Sequence, residues 1–323
     1  MDFVRALKEN DIAECKVALK SDLHNHIGLG GDYDYIAQRA SSKMPLIQPK
    51  DRYDGVSGMD EQFLKDFLPK FPESKDLIFL WNAALIEAYN NGVFNLSPDI
   101  GKCAKHKFNG SLEAGMKAFY ETAHIVYGTD YSKLTISPII TLKRGTDPKR
   151  METLVDEAID CGYFKGIDLI GSEDYSPEQY SSIFEKAHKC GMMRMAHIGE
   201  YSESKLVMRY IEALNLDAIM HGITVVNSKE AMELIREREI TLHLCPTSNV
   251  KLGYVSSYAT HPIKHFVENG INVTINTDDR LIFGSSITEE YIKLYKSGCL
   301  SAEELNKIRL DGLGFFKWHH NHP

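Results

Sequence analysis

From Gly92 onward, short apolar segments alternate with longer segments of helical periodicity. An earlier apolar segment around His24 brings the candidate strands to eight, and most of them are separated by helical segments. The candidate strands cover residues 22–26, 93–96, 134–142, 164–170, 192–196, 218–220, 240–244 and 273–276. This order predicts a single-domain (β/α)8 TIM barrel over residues 1–323. An open doubly wound sheet is the alternative, but no glycine-rich phosphate loop supports it.

The segment between the first two candidate strands has a different pattern. Residues 33–40, 60–71 and 77–89 show helical periodicity, with an irregular polar stretch between the first two. We therefore predict that residues 32–90 form a helical, lid-like insertion after the first strand. Residues 2–20 are predicted to form a short helix that leads into that strand.

Composition restricts the partners of the protein. The formal net charge of −8 argues against a general nucleic-acid or anionic-membrane surface, which needs a basic face. No apolar run approaches the roughly 20 residues of a membrane span. Six scattered cysteines without a Cys-x-x-Cys motif favour a reduced, cytoplasmic protein. We expect a small-molecule substrate and neither nucleic acid nor membrane as a partner, while the oligomeric state stays open.

His24 and His26 are two positions apart on the first candidate strand. Side chains at such positions project from the same face, so their imidazoles can share one ion. Imidazole nitrogen is a ligand that suits zinc and its first-row neighbours. The pair alone is weak support, because most such pairs in soluble proteins are surface or packed histidines.

Polar residues also follow the ends of the later candidate strands. They are His197, Glu200, His221, Cys245, Asp278 and Asp279, and Gly171 follows the strand end at Ile170. In a parallel barrel these strand ends form one rim, which is where active sites lie. Helix capping or an ordinary buried histidine could explain each residue separately, but not their shared position. Burying such groups unpaired is costly, and a bound divalent cation would remove that cost.

These motifs resemble, in order over most of the chain, the adenosine deaminase branch of the amidohydrolases. The matching segments are Leu23-His24-Asn25-His26, Gly166-Ile167-Asp168-Leu169-Ile170-Gly171-Ser172-Glu173, His197-Ile198-Gly199-Glu200, His221-Gly222, Cys245-Pro246-Thr247-Ser248-Asn249, His261-Pro262 and Asn276-Thr277-Asp278-Asp279. Residues 32–90 do not match the lid of the family residue by residue.

The resemblance implies a zinc-dependent hydrolytic deamination of a 6-aminopurine nucleoside to the 6-oxopurine and ammonia. Four residues would hold one zinc ion per chain: His24, His26, His197 and Asp278. In addition to Asp278, the catalytic residues would be Glu200, which protonates N1, and His221, which orients the attacking water and assists its deprotonation. Asp279 would contact N7 and the backbone N–H of Gly171 would contact N3. We interpret Cys245 as a packing residue, because no partner base accompanies it.

One position departs from the family pattern. Nucleoside deaminases usually carry an acidic residue two positions after the second histidine, where it meets the 5′-hydroxyl of the sugar, and here that residue is Gly28. An open 5′ end would admit a 5′-substituted adenosine or a nucleotide, unless another loop residue replaces the contact. Deamination of free adenine, hydrolysis of a different amine or amide, and a non-catalytic purine-binding protein are the alternatives. The exact substrate and the native metal stay open.

Overall fold

The computed structural model describes residues 2–39, 50–59 and 73–321. Within these ranges, nine parallel strands form one sheet. The strands are β1 (Lys20–His26), β2 (Val93–Asp99), β3 (Thr135–Ile136), β4 (Ile139–Lys143), β5 (Gly166–Ile170), β6 (Met193–Ile198), β7 (Ala218–His221), β8 (Thr241–Leu244) and β9 (Val273–Ile275). Eight of them follow one another in chain order around the sheet, and the two-residue β3 pairs with β2 beside that path. The (β/α)8 prediction is therefore confirmed.

The last strand returns to the first. A parallel bridge joins Asn25 to Asp278 just beyond the end of β9. The backbone N–H of Asp278 donates to the carbonyl of His24 at 2.9 Å, and the N–H of Leu23 donates to the side chain of Asn276 at 2.8 Å. These contacts link the two ends of the sheet at the rim where the polar residues were predicted.

Helices follow most of the strands, and local sequence signals set their ends. The described α-helices are α1 (Phe3–Glu9), α2 (Ile12–Val17), α3 (Tyr33–Arg39), α4 (Ser74–Asn90), α5 (Gly101–Lys107), α6 (Leu112–Tyr127), α7 (Pro148–Cys161), α8 (Ser181–Lys189), α9 (Ser204–Leu214), α10 (Lys229–Glu237), α11 (Pro246–Lys251), α12 (Ile263–Glu268), α13 (Arg280–Phe283), α14 (Ile287–Lys296) and α15 (Ala302–Asn321). Helix α7 begins with Pro148 after the capping side chain of Asp147, and it ends at Gly162, whose φ is +71°. Among the residues that the structure describes, no helix has the length and apolar character needed to cross a membrane.

Three predicted elements are wrong in detail. Residues 134–142 do not form one strand, because the chain is interrupted at Ser137-Pro138 and proline has no N–H to donate to a neighbouring strand. The strand predicted at 93–96 continues through Pro98 to Asp99. Residues 2–20 hold two helices, since Asn10 ends the first in a left-handed conformation and β1 already begins at Lys20.

The interior of the barrel is apolar at the end away from the rim. Met193 and Met195 of β6 lie there in one cluster with Met220 of β7 and Phe315 of α15. Side chains two positions apart share a face of a strand, so His197 follows the two methionines on the same face of β6, nearer the rim. The alternation of this one strand therefore places an imidazole above the apolar floor.

The predicted insertion 32–90 contains helices α3 and α4, whereas the predicted helix 60–71 lies outside the described residues. Residues 50–59 contact the loop after β8. The backbone N–H of Tyr53 donates to the carbonyl of Lys251 at 2.7 Å, and the N–H of Val56 donates to the Tyr254 hydroxyl at 3.1 Å. A lid-like role for this segment stays a prediction.

Candidate active site

Three imidazoles meet at the C-terminal ends of the strands. His24 and His26 extend from β1, and His197 extends from β6. One ring nitrogen of each residue lies within 4.8 Å of the other two. The sequence-predicted histidine cluster is therefore assembled in the structure.

Each of these rings has an oxygen atom beside its Nδ1. The three pairs are His24 with the carbonyl of His243 at 3.3 Å, His26 with Asp99 at 3.2 Å and His197 with Asp168 at 2.8 Å. An oxygen acceptor beside Nδ1 favours the tautomer that carries its proton there. For His24 and His197, Nε2 is then left with a free lone pair, which is the arrangement that proteins use to orient histidine ligands. Burial opposes protonation of His26, but the carboxylates of Asp279, Asp278 and Asp99 outweigh it and raise the pKa of this imidazole well above its usual range.

The Nε2 atoms of His24 and His197 are only 3.0 Å apart. Burial lowers the pKa of both imidazoles well below the usual range, so both rings are neutral. Two bare nitrogen lone pairs at this distance repel each other unless a cation lies near both. The donor set therefore fits a divalent metal ion.

Asp278 completes the donor set. One of its carboxylate oxygens lies 3.3 Å from Nε2 of His26 and 3.7 Å from Nε2 of His24. Burial opposes ionisation of this carboxyl, but the hydrogen bond with His26, together with the other surrounding imidazoles, outweighs it and holds the pKa of Asp278 below its usual range. Its φ of +59° is rare for a residue other than glycine, and His221 has a similar φ of +68°. Strained backbone of this kind is typical of functional sites.

Glu200 lies on a turn just after β6 and is buried. The buried carboxylate of Glu173 accepts the backbone N–H groups of Gly199 and Glu200 at 3.0 Å each, and that of Ser202 at 3.1 Å. Burial, together with the carboxylates of Asp278 and Glu173, raises the pKa of Glu200 well above its usual range. These surroundings favour the protonated form of Glu200.

His221 ends β7 and faces both carboxyl groups. Its Nε2 lies 3.7 Å from an oxygen of Glu200 and 3.7 Å from an oxygen of Asp278. Burial lowers the pKa of His221 to about 3, so the ring is neutral. Asp279 follows Asp278, and an oxygen of each lies within 4.8 Å of a ring nitrogen of His26. All five of these residues border one small region.

Gly171 is joined to this region by Arg144, which sequence reasoning did not select. The guanidinium of Arg144 donates to the carbonyl of Gly171 at 2.9 Å and to the carbonyl of His197 at 2.5 Å. Gly171 has a φ of +98°, which glycine adopts without strain. The arginine thus fixes the loop after β5 against the end of β6.

Cys245 is closer to the cluster than its interpretation as a packing residue suggests. Its sulfur lies 3.3 Å from Nδ1 of His24, on the side of the ring away from His197. Burial raises the pKa of this thiol well above its usual range, so it is protonated. A protonated thiol is neither a good nucleophile nor a good metal ligand, which agrees with a packing role.

Sequence reasoning missed the residues that orient the site. These are Asp99, Asp168 and Glu173 beside the candidate ligands and acid, Arg144 behind His197, and Asn249 and His261 behind His221. Asp168 gave a usable signal, because a carboxylate stands inside the otherwise apolar strand Gly166–Ile170. Glu173, Asn249 and His261 lie in motifs that carried the family resemblance, but no role was predicted for them.

Comparison with known proteins agrees with this geometry. The family model for adenosine deaminase matches residues 132–315, more than half of the chain. A Treponema pallidum protein that carries the provisional name adenosine/adenine deaminase is 27% identical over 90% of this chain and 96% of its own length. An adenosine deaminase of Clostridium botulinum is 38% identical over 46% of this chain and 44% of its own length.

A solved structure supports the fold. A zinc-bound amidohydrolase from Burkholderia ambifaria superposes with a TM-score of 0.78 at 20% identity, over 93% of this chain and 86% of that one. This chain therefore belongs to the adenosine deaminase family, hydrolases that act on carbon–nitrogen bonds.

Proposed function

We propose that this protein catalyses the hydrolytic deamination of a 6-aminopurine nucleoside, adenosine or a 5′-modified adenosine. The observation that carries the proposal is the juxtaposition of two bare imidazole nitrogens with a buried carboxyl group whose raised pKa favours its protonated form. The nitrogens belong to His24 and His197, 3.0 Å apart, and the acid is Glu200, beside His221.

One zinc ion per chain would be held by four residues: His24, His26, His197 and Asp278. When bound, zinc makes a water molecule nucleophilic near neutral pH by lowering the pKa of that water. The short His24–His197 separation supports this assignment, because a cation relieves the repulsion between their lone pairs. Nitrogen and carboxylate ligands are a combination common in catalytic zinc sites.

The protein groups would then do the remaining work on the purine. Addition of the water oxygen to C6 pushes an electron pair onto N1, and the Glu200 carboxyl supplies the proton that N1 takes up. One oxygen of Glu200 is buried and has no hydrogen-bond partner among the described residues, so it is free to meet a substrate. His221 orients the water, Asp279 contacts N7 and the Gly171 N–H contacts N3. The proton lost by the water would pass to N6, so that the C6–N6 bond breaks with release of ammonia, and the C6 hydroxyl would return a proton to the Glu200 carboxylate, which leaves the 6-oxopurine.

The sugar end of the substrate is open at Gly28. A side-chain carbon built on Gly28 meets no described atom within 4 Å. The space next to the Gly28 backbone is therefore free of described side chains. We infer that a 5′-substituent can be accommodated here.

Free adenine is the second candidate substrate. A free base has no sugar, so its binding does not depend on a sugar contact. The Treponema pallidum relative is named for both adenosine and adenine.

Rates of ammonia release from adenosine, 5′-deoxyadenosine, AMP and adenine, measured with and without a chelator, test both candidates. We expect 5′-deoxyadenosine to react about as fast as adenosine. Strong preference for unmodified adenosine contradicts the open sugar end, and absence of ammonia from all four contradicts the proposed function.

A further inference from the structure

A chain of buried hydrogen bonds runs behind His221. It begins at a backbone group whose donor role is fixed, because the N–H of Ile263 donates to Nδ1 of His261 at 3.1 Å. Nδ1 of His261 therefore carries no proton. Burial lowers the pKa of His261 to about 3, so the ring is neutral and its one proton is on Nε2.

The proton on His261 sets the orientation of the next side chain. Nε2 of His261 lies 3.2 Å from Oδ1 of Asn249 and donates to it. The reverse orientation of the amide would place an NH2 group against the imidazole N–H, donor against donor. Asn249 is fully buried, so the geometry allows one orientation only.

The orientation of Asn249 in turn determines the tautomer of His221. Its Nδ2 lies 3.1 Å from Nδ1 of His221 and, being a donor, leaves that ring nitrogen as the acceptor. With Nδ1 bare, the ring proton of His221 is on Nε2. That atom lies 3.7 Å from an oxygen of Glu200 and 3.7 Å from an oxygen of Asp278, at the reaction centre.

We infer that His261 and Asn249 are positioning residues that hold His221 in the tautomer with its proton on Nε2. The tautomer follows from the hydrogen bonds alone, whereas its catalytic role rests on the proposed function. His221 would donate a hydrogen bond to the attacking oxygen and would not accept the proton of the water. The carboxylate of Asp278, whose Oδ2 is near the same Nε2, is then the available proton acceptor. The role of His221 in assisting deprotonation, expected from the sequence, is revised accordingly.

The tautomer is measured directly by nitrogen NMR of the zinc-loaded protein labelled at histidine with ¹⁵N. Protonated and bare ring nitrogens have well separated shifts, and His221→Gln identifies the signals of His221. We expect Nε2 to be protonated and Nδ1 to be bare. In Asn249→Asp, a carboxylate that accepts replaces the amide that donates, so Nδ1 of His221 should become protonated. A wild-type His221 protonated on Nδ1, or no change in Asn249→Asp, overturns the inference.

Kinetics separate positioning from a purely structural role. His261→Leu removes the donor to Asn249, whereas His261→Gln keeps an N–H group of similar reach. We expect His261→Leu to lower kcat about 10–100-fold with little change in KM or zinc content, and His261→Gln to restore most of the loss. Equal kcat in the leucine variant and wild type, or equal losses in both variants, contradicts the positioning role. The NMR result stands apart from turnover, so a protein inactive on purines would refute the proposed function without deciding the tautomer.

Discussion

The carboxylate of Glu173 accepts the backbone N–H of Glu200 at 3.0 Å, so one buried acid holds the turn that carries another. Two further N–H groups of the same turn, from Gly199 and Ser202, bind the same carboxylate. The Glu173 carboxylate also raises the pKa of Glu200, because a like charge disfavours ionisation. Glu173 therefore acts on both the position and the pKa of Glu200.

Glu200→Gln tests the acid. The glutamine has a similar shape but no acidic proton, so we expect kcat to fall about 10²–10⁴-fold while zinc content and melting temperature stay near wild type. Steady-state kinetics and elemental analysis of the same preparation measure both. Glu203→Gln, at an exposed position in the same loop, is the matched control and should keep full activity. Near wild-type turnover of Glu200→Gln contradicts the assignment.

Glu173→Gln should shift the pH dependence of turnover. Glu200 has to be protonated to donate to N1, so activity is present below its raised pKa and is lost as the pH rises through it. Removing the charge of Glu173 lowers the pKa of Glu200, so the alkaline limb of kcat against pH should move to lower pH. Loss of backbone hydrogen bonds should also reduce kcat up to about 100-fold at the optimum.

The control for this pH shift is Asp174→Asn, which removes a neighbouring but exposed charge. Its alkaline limb should coincide with that of the wild type. A Glu173→Gln profile that keeps the wild-type limb would show that Glu173 acts on position alone.

Much of the site was predictable because a parallel barrel gathers its strand ends. His24, His26, His197, His221 and Asp278 occupy strand ends in the sequence, and the structure brings them together. Their spacing along the chain and the eightfold order of strands are enough to place them at one rim.

The supporting residues could not be predicted in this way, because their roles depend on register between strands. Asp168 pairs with Met195 across β5 and β6, and this register brings its carboxylate to Nδ1 of His197 two positions further along. Likewise Asn249 meets His221 only through the position of helix α11 after β8. Pro98 shows the same limit for the fold, since proline predicts a strand end but the pairing of β2 with β1 continues beyond it.

Asp168→Asn tests how the histidines are oriented for metal. An amide can present its NH2 group to Nδ1 of His197, which would favour the wrong tautomer and protonate the ligating nitrogen. We expect zinc affinity to fall about 10–100-fold, as measured by competition with a chromogenic chelator. Asp160→Asn, on the exposed end of α7, is the control. Unchanged affinity in Asp168→Asn contradicts this orienting role.

Removing the metal should destabilise the folded protein. A ligand that binds only the folded state adds to its stability, and here it also relieves the repulsion between His24 and His197. We expect dialysis against a chelator to abolish ammonia release and to lower the melting temperature, and added zinc to restore both. Calorimetry before and after zinc addition gives the shift. Fully active material without stoichiometric metal by elemental analysis contradicts the metal assignment.

Gly28→Asp tests the open sugar end. Because a side-chain carbon at Gly28 has no described neighbour within 4 Å, the substitution should be tolerated. A carboxylate there could accept a hydrogen bond from a 5′-hydroxyl, a contact of about 1.5 kcal/mol. We therefore expect the ratio of kcat/KM for adenosine over 5′-deoxyadenosine to rise roughly tenfold, and turnover of AMP to fall by charge repulsion.

Gly28→Asn and Gly28→Ala are the controls for this substitution. Asparagine keeps an acceptor without the charge, and alanine fills space without an acceptor. If all three variants keep the wild-type ratio, Gly28 does not lie at the sugar end, and the 5′ side of the substrate is bounded by another part of the chain.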